Sequence, residues 1–193
     1  MLTTYLTSED ITFHTETTDE IIEQYLLRIA VNDKSALSAL YRATSTNIYS
    51  YALSVLKNPQ DAEDILQECF VRIYLNASNY QPQKKPLAWM ITITRNLCLQ
   101  HIRDHKRFTD LPEEDWEPYL SSQTGLLEED RIILSECMRE LGDTERQIVV
   151  LHAISGFKHR EIATLLHLPL PTVLSKYNRA LKKLQVVLQK GEN

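Results

Sequence analysis

Cations crowd two stretches of this 193-residue chain: residues 84–107 hold six Lys or Arg against one acidic residue, and residues 158–193 hold seven against two. A block of fixed positive charge attracts a polyanion, and two separate blocks suggest two contacts with it. In the first block Lys84, Lys85, Arg95, Arg103, Lys106 and Arg107 flank the aromatic residues Tyr80 and Trp89. Aromatic faces beside cations are what single-stranded bases stack on. In the second block Arg160–Leu166 reads as a short amphipathic helix and His167–Leu170 as a tight connection. Pro171-Thr172-Val173 then opens another helix, which makes the pattern a helix-turn-helix. Val173, Tyr177, Leu181 and Leu184 fall on one side of that helix, and Thr172, Ser175, Lys176, Arg179, Lys182 and Lys183 on the other. A helix with its side chains is about as wide as the DNA major groove, so the first outward residues can meet base edges and the later cations phosphates. The bland alternative for both blocks is a pair of solvated helix faces.

Negative charge is equally segregated. Residues 1–83 carry a net −6 and residues 108–157 a net −9, against −5 for the whole chain. Asp61, Asp64, Gln67 and Glu68 line one helical face, which reads either as plain solvated surface or as a docking strip for a basic partner.

The elements that must position these groups follow from apolar spacing. Thr17-Thr18-Asp19-Glu20 reads as a capping box that opens a helix through Ile29, and Asn32-Asp33 breaks and recaps the chain. A longer helix runs to Leu56, and Asn58-Pro59 stops it and starts a third, with Ala62, Ile65, Leu66, Cys69, Phe70 and Ile73 inward. Residues 76–86 read as a polar loop, and Pro86 suits the first turn of a fourth helix with Met90, Ile91, Thr94, Leu97, Cys98 and Ile102 inside. Residues 108–126 lack periodicity and carry Pro112, Pro118, Gly125 and the acidic residues Asp110, Glu113, Glu114, Asp115 and Glu117, so they read as a flexible linker. Beyond it Leu134, Met138 and Leu141 lead to Gly142 as a C-cap, Thr144 caps the next helix, and two helices close the chain. The expected fold is all-α: an extension over 1–18, a helical domain over 19–107, the acidic linker over 108–126 and a helix-turn-helix domain over 127–193. With four glycines, a β-sandwich or barrel and a phosphate-cradling glycine loop are both excluded.

Other chemistries find little support. Cys69, Cys98 and Cys137 are odd in number, widely spaced and set among apolar residues, so they read as buried free thiols. His101 and His105 lie four apart on one helix without a third ligand, and His152, His159 and His167 show no ligand spacing. No serine or cysteine has a recognisable base partner. No enzyme activity, metal or cofactor is expected. No apolar run reaches the roughly 18 residues of a membrane span and no secretory signal opens the chain, which points to the cytoplasm without membrane insertion.

The order of the pieces resembles a known family. Asn58–Arg72 (NPQDAEDILQECFVR) resembles the polymerase-docking region of bacterial sigma factors, and Pro86–Leu97 (PLAWMITITRNL) their promoter-melting and minus-ten region. Gly156–Ala163 (GFKHREIA) resembles the start of their minus-thirty-five reader, and the short two-domain layout resembles the extracytoplasmic-function group. The resemblance implies that Asp61, Asp64, Gln67 and Glu68 bind core RNA polymerase. It implies minus-ten DNA contacts by Tyr80, Lys84, Lys85, Trp89, Arg95, Asn96 and Arg103, with the segment from Tyr80 to Lys85 capturing a base flipped from the non-template strand. It implies minus-thirty-five contacts by Arg160, Thr172, Ser175, Lys176, Arg179 and Lys183, and an anti-sigma factor as a further partner beside core RNA polymerase and promoter DNA. His167 stands where the family usually has a turn glycine, Pro171 where glycine is common, and Leu174 where a cation often precedes the serine. The competing reading is a helix-turn-helix transcription regulator with a helical sensing or dimerisation domain. A helical metalloenzyme is a third.

Overall fold

Local capping chemistry sets the first three helices. The computed structural model describes residues 8–82, 85–105 and 136–191. Helix α1 (Ser8–Ala30) ends where Asn32 takes a left-handed φ of 65°. Asp33 then caps α2 (Lys34–Leu56): one carboxylate oxygen accepts the Ser35 backbone N–H at 2.9 Å, and the other holds the Arg28 guanidinium at 2.7 Å. Lys57, also left-handed, closes α2 with its N–H on the Leu53 carbonyl at 2.9 Å. Asn58 caps α3 (Pro59–Asn76) by accepting the Asp61 N–H at 3.0 Å, and Pro59 occupies the first turn, where its missing N–H costs nothing. A short 3₁₀ turn (Ala77–Asn79) follows, and α4 runs Pro86–His105.

These four helices enclose Leu26, Leu40, Ile48, Tyr51, Ile73, Met90 and Ile91, all fully buried. The polar groups inside are satisfied locally: the Thr44 and Thr94 hydroxyls donate to the carbonyls of Leu40 and Met90 one turn back, at 2.7 and 2.9 Å. The three cysteines are buried free thiols, and burial pushes Cys69 up to about 11 and Cys98 to about 12.

The second helical group comprises α5 (described over 136–140), α6 (Asp143–Ala153), α7 (His159–Leu166) and α8 (Leu170–Gly191). Gly156, at φ +70° with open space where a Cβ would stand, turns the chain after α6 so that Phe157 comes back into the core with its N–H on the Leu151 carbonyl. The connection from α7 to α8 passes through His167 at φ 55°, ψ 43°. Val173 and Ala180 of α8 are fully buried, whereas Leu181 is exposed.

The two groups touch. α6 packs on α2 and α7 on α4, and Ile148, Leu151, Phe157, Ile162 and Leu166 continue the apolar core of α1–α4. Lys57 pairs with Asp143 at 3.0 Å, and the Asn47 side-chain amide donates to the Ile154 carbonyl at 3.2 Å.

Several sequence expectations change. α1 starts at Ser8 rather than at the Thr17 capping box, because nothing between Ser8 and Ala30 breaks a helix. The stretch 76–86 is not all loop: Ala77 and Tyr80 are buried. Gly142 is not a left-handed C-cap. With φ −65° it is the N-cap of α6, in place of Thr144, and its N–H is held by the Glu145 carboxylate at 3.1 Å. The acidic linker at 108–126 lies outside the described residues, as does Lys84.

Candidate nucleic-acid interface

The amino-terminal half of α4 carries the aromatic and amide groups. Trp89 is half-buried and packs on Tyr80, with ring centroids 5.1 Å apart and planes tilted by 59°. Tyr80 is only 8% exposed, and its hydroxyl donates to Glu23 of α1 at 2.8 Å. The ring of Tyr80 backs Trp89, and its hydroxyl ties α1 to the start of α4.

A cleft of about 370 Å³ opens beside Trp89, in the size range of small-ligand sites. Trp89, Ile93 and Asn96 of α4 form one wall, and Arg72, Asn76 and Asn79 another. An indole with several carboxamides and a guanidinium can stack on a base and bond its edges; Asn pairs with adenine and Arg with guanine. Sequence reasoning found Trp89 and Asn96 but missed Arg72, Asn76, Asn79 and Gln100, which share this cleft. The signal was the polar run Asn76-Ala77-Ser78-Asn79 one turn beyond Arg72, which reads as loop composition until the 3₁₀ turn fixes it. Asn76 donates to the Arg72 carbonyl at 2.8 Å, and the Arg72 Nε bonds Glu68 at 2.7 Å.

The remaining cations of α4 disperse. Arg103 is exposed, seven residues beyond Asn96 and so on the same face. Arg95 points away from that face and lines a small cavity with Tyr51, Val55, Leu166 and Leu168 at the seam between the two helical groups, so it does not join Trp89 and Asn96. Lys85 is exposed and pairs with Glu161 of α7 at 2.8 Å.

On α3, Asp64 and Gln67 are exposed and Glu68 is half-buried. Asp61 is half-buried and faces His101 of α4 at 3.1 Å, so it bridges two helices as well as edging the strip.

In the second group Ser175 and Arg179 are exposed, Thr172 and Lys176 are half-buried, and Arg160 is exposed on α7. The Lys183 ammonium bonds Glu145 at 2.8 Å and the Glu140 carbonyl at 3.1 Å, so it braces α8 against α6. Burial raises the Glu145 carboxyl, but the bonds from Lys183 and the Gly142 N–H and the charges of Lys183 and Arg179 outweigh it, leaving it below its ordinary value. His152 and His159 stack at 4.5 Å with Tyr177 edge-on to both, forming an aromatic joint among α6, α7 and α8.

This arrangement defines a class: a helical protein with a base-sized aromatic cleft in one helical group and a helix-turn-helix in the other. Comparison with known proteins makes it specific. Residues 40–108 match Sigma-70 region 2 and residues 131–184 match Sigma-70 region 4, together more than half of the chain. Relatives include the ECF RNA polymerase sigma factor SigK of Mycobacterium bovis (strain BCG / Pasteur 1173P2), 25% identical over 171 residues, covering 85% of this chain and 91% of that protein. SigK of Mycobacterium sp. (strain KMS) is 24% identical over 177 residues, covering 88% and 90%. Among solved structures, CnrH in complex with the cytosolic domain of CnrY aligns with TM-score 0.63 at 22% identity over 88% of this chain and 98% of that chain. RpoE in complex with the anti-sigma factor NepR from Bartonella quintana aligns with TM-score 0.67 at 22% identity over 79% and 96%. The chain belongs to the sigma-70 family, in its extracytoplasmic-function group. It is a transcription initiation factor that acts by binding rather than by catalysis. Among the described residues no helix is long and apolar enough to cross a membrane.

Proposed function

We propose a division of labour for this sigma factor, carried by one observation: the cleft in which Trp89 stands opposite Asn76 and Asn79, with Asn96 on its own wall. That cleft takes a base flipped from the non-template strand of the minus-ten element; unstacking costs only a few kcal/mol, and stacking on the indole offsets it. Lys84, Lys85 and Arg103 hold the strand's phosphates. Tyr80 supports Trp89 from behind, and Arg95 reaches DNA only once the seam to α6–α8 is open. On α3, Asp64, Gln67 and Glu68, edged by Asp61, dock on a basic surface of core RNA polymerase. In the second domain Thr172, Ser175 and Lys176 read the minus-thirty-five element in the major groove, and Arg160 and Arg179 hold its backbone. The region-2 unit is taken as 19–107 and the region-4 unit as 127–193, joined by the acidic segment 108–126. The complex of RpoE with the anti-sigma factor NepR from Bartonella quintana supports an anti-sigma protein as a further partner, and the site of action is the cytoplasm.

Run-off transcription with purified core RNA polymerase and a promoter library tests the reading. The chain with core enzyme alone should yield specific transcripts. A requirement for a pre-assembled holoenzyme would replace this reading with that of a helix-turn-helix regulator.

A further inference from the structure

A cleft of about 580 Å³ lies between the two domains, with Trp89 in its wall. Lys85 and Ala88 of the first domain stand across it from Arg160, Glu161 and Leu165 of α7. Glu161 is aimed: one oxygen accepts the Lys158 backbone N–H at 2.9 Å at the start of α7, and the other takes the Lys85 ammonium at 2.8 Å. Two more carboxyls stand near this corner. Asp19 of α1 feels the charges of Glu161, Glu23 and Lys85, and Glu23, one turn further along α1, accepts the hydroxyl of the cleft-lining Tyr80 at 2.8 Å. The groups facing the corner are thus Asp19 and Glu23 from α1, Tyr80 and Lys85 beside α4, and Lys158, Arg160 and Glu161 from α7.

This arrangement is incompatible with promoter reading as proposed above. Elements centred near minus ten and minus thirty-five lie about 25 base pairs apart, roughly 85 Å at 3.4 Å per pair. With α7 in contact with α4, the two reading surfaces cannot span that distance. In the closed form Glu161 also occupies the ammonium that would meet a phosphate.

We propose that Lys85 and Glu161, with the carboxyls of Asp19 and Glu23 beside them, form a proton-coupled clasp that holds α7 over the Trp89 end of α4 and keeps the free protein from DNA. The proposal rests on the DNA-reading role given above. Of the three carboxyls only Glu161 bonds the Lys85 ammonium, so the corner holds together best when one of the others is protonated. Asp19 takes that proton: burial first, then the charges of Glu161 and Glu23, raise it from 3.8 to about 6, against the lowering effect of Lys85. Opening removes Glu161 and lets Asp19 fall back toward its ordinary range. The closed form therefore binds the extra proton, is favoured in acid, and weakens as pH rises through about 6. The docking strip is not part of the clasp, since Asp64 and Gln67 are exposed in the closed form. Core polymerase can engage α3 before the domains separate.

Energy transfer between dyes on Leu75→Cys and Val186→Cys tests this in the full-length chain. Both positions are exposed, one in each domain, and the three native thiols are buried. The open fraction should rise about three- to tenfold between pH 5.5 and 7.5, a range set by discounting the Asp19 effect for its partial exposure. Asp19→Asn should hold the protein closed across that range, and Lys85→Gln, which leaves the carboxyls uncompensated, should open it throughout. A pH profile unchanged by Asp19→Asn, or a Lys85→Gln protein as closed as the parent, would overturn the clasp. In a second arm a labelled single strand carrying the minus-ten sequence is titrated at pH 7.5. Asp19→Asn should bind it more weakly than the parent by the same three- to tenfold, and equal affinity with an altered dye distance would overturn the occlusion. If neither protein binds the strand and neither supports run-off transcription while the dye profiles behave as expected, the DNA-reading role fails and the clasp stands.

Discussion

Replacing Lys183 with methionine separates structural bracing from DNA contact on α8. Methionine keeps the length and apolar stem of lysine and removes only the charge. Glu145 is 4% exposed and would lose its 2.8 Å partner, keeping the Gly142 N–H at 3.1 Å and the Arg179 guanidinium at 3.9 Å. Stripping the partner from a fully buried ion pair costs about 3–5 kcal/mol. Here two partners remain and the lysine is itself partly solvated, so the loss should be about 1–2 kcal/mol. In a small domain that lowers the midpoint of thermal unfolding by roughly 5–10 °C. The pH dependence has a definite sign. The Glu145 carboxyl is depressed in the folded protein, so its stabilising contribution is complete above the ordinary glutamate range and is lost as pH falls through the folded value. The gap between Lys183→Met and the parent should therefore be widest near pH 7 and close in acid. Thermal melts followed by circular dichroism from pH 3 to 7, alongside anisotropy titrations with minus-thirty-five duplex, measure both sides. A variant with parental melting temperature and a salt slope reduced by about one would refute the bracing role and return Lys183 to the phosphate contacts.

Three further outcomes follow from the same surfaces. Asp64→Arg combined with Glu68→Arg should abolish co-purification with core RNA polymerase while leaving helicity unchanged, since among the described residues the ion pair lost is the solvent-accessible Glu68–Arg72 pair, worth about 0.3–0.5 kcal/mol. Trp89→Ala and Asn96→Ala should each impair promoter opening more than closed-complex formation, read as loss of permanganate-reactive thymines; normal opening in both would make them packing residues only. Arg179→Ala should weaken binding to all minus-thirty-five sequences and lower the salt slope by about one, whereas Ser175→Ala should alter sequence preference by about 1–3 kcal/mol at one position.

Where the sequence was legible, local chemistry explains why. Asp33, Asn58-Pro59 and Pro86 start their helices as their side chains dictate, because a cap or a first-turn proline acts within three or four residues. The helix-turn-helix was legible because its period and its connection are also local. What was not legible concerns partners far away in the chain. Tyr80 is buried through Glu23, 57 residues upstream, and Lys183 is drawn inward by Glu145, 38 residues upstream. Nothing in the spacing of α4 shows that Arg95 faces Leu166 and Leu168. Gly142 misled because a glycine after an apolar run suggests a left-handed cap, whereas its φ of −65° is open to any residue. Thr17 misled for the converse reason: a capping-box pattern offers a start but does not end a helix that already runs through it.

His167 has a consequence for how the recognition helix moves. A non-glycine residue at φ 55° carries about 1 kcal/mol or more of backbone strain relative to glycine, although histidine tolerates this region better than branched residues do. In return its Cβ narrows the range of torsions open to the joint between α7 and α8. A glycine there would let α8 swivel over a wide arc before meeting DNA, and that freedom would be lost on docking. With histidine most of the arc is already absent in the free protein. The recognition helix therefore approaches the groove as a rigid extension of α7, and the entropy lost on docking is correspondingly smaller.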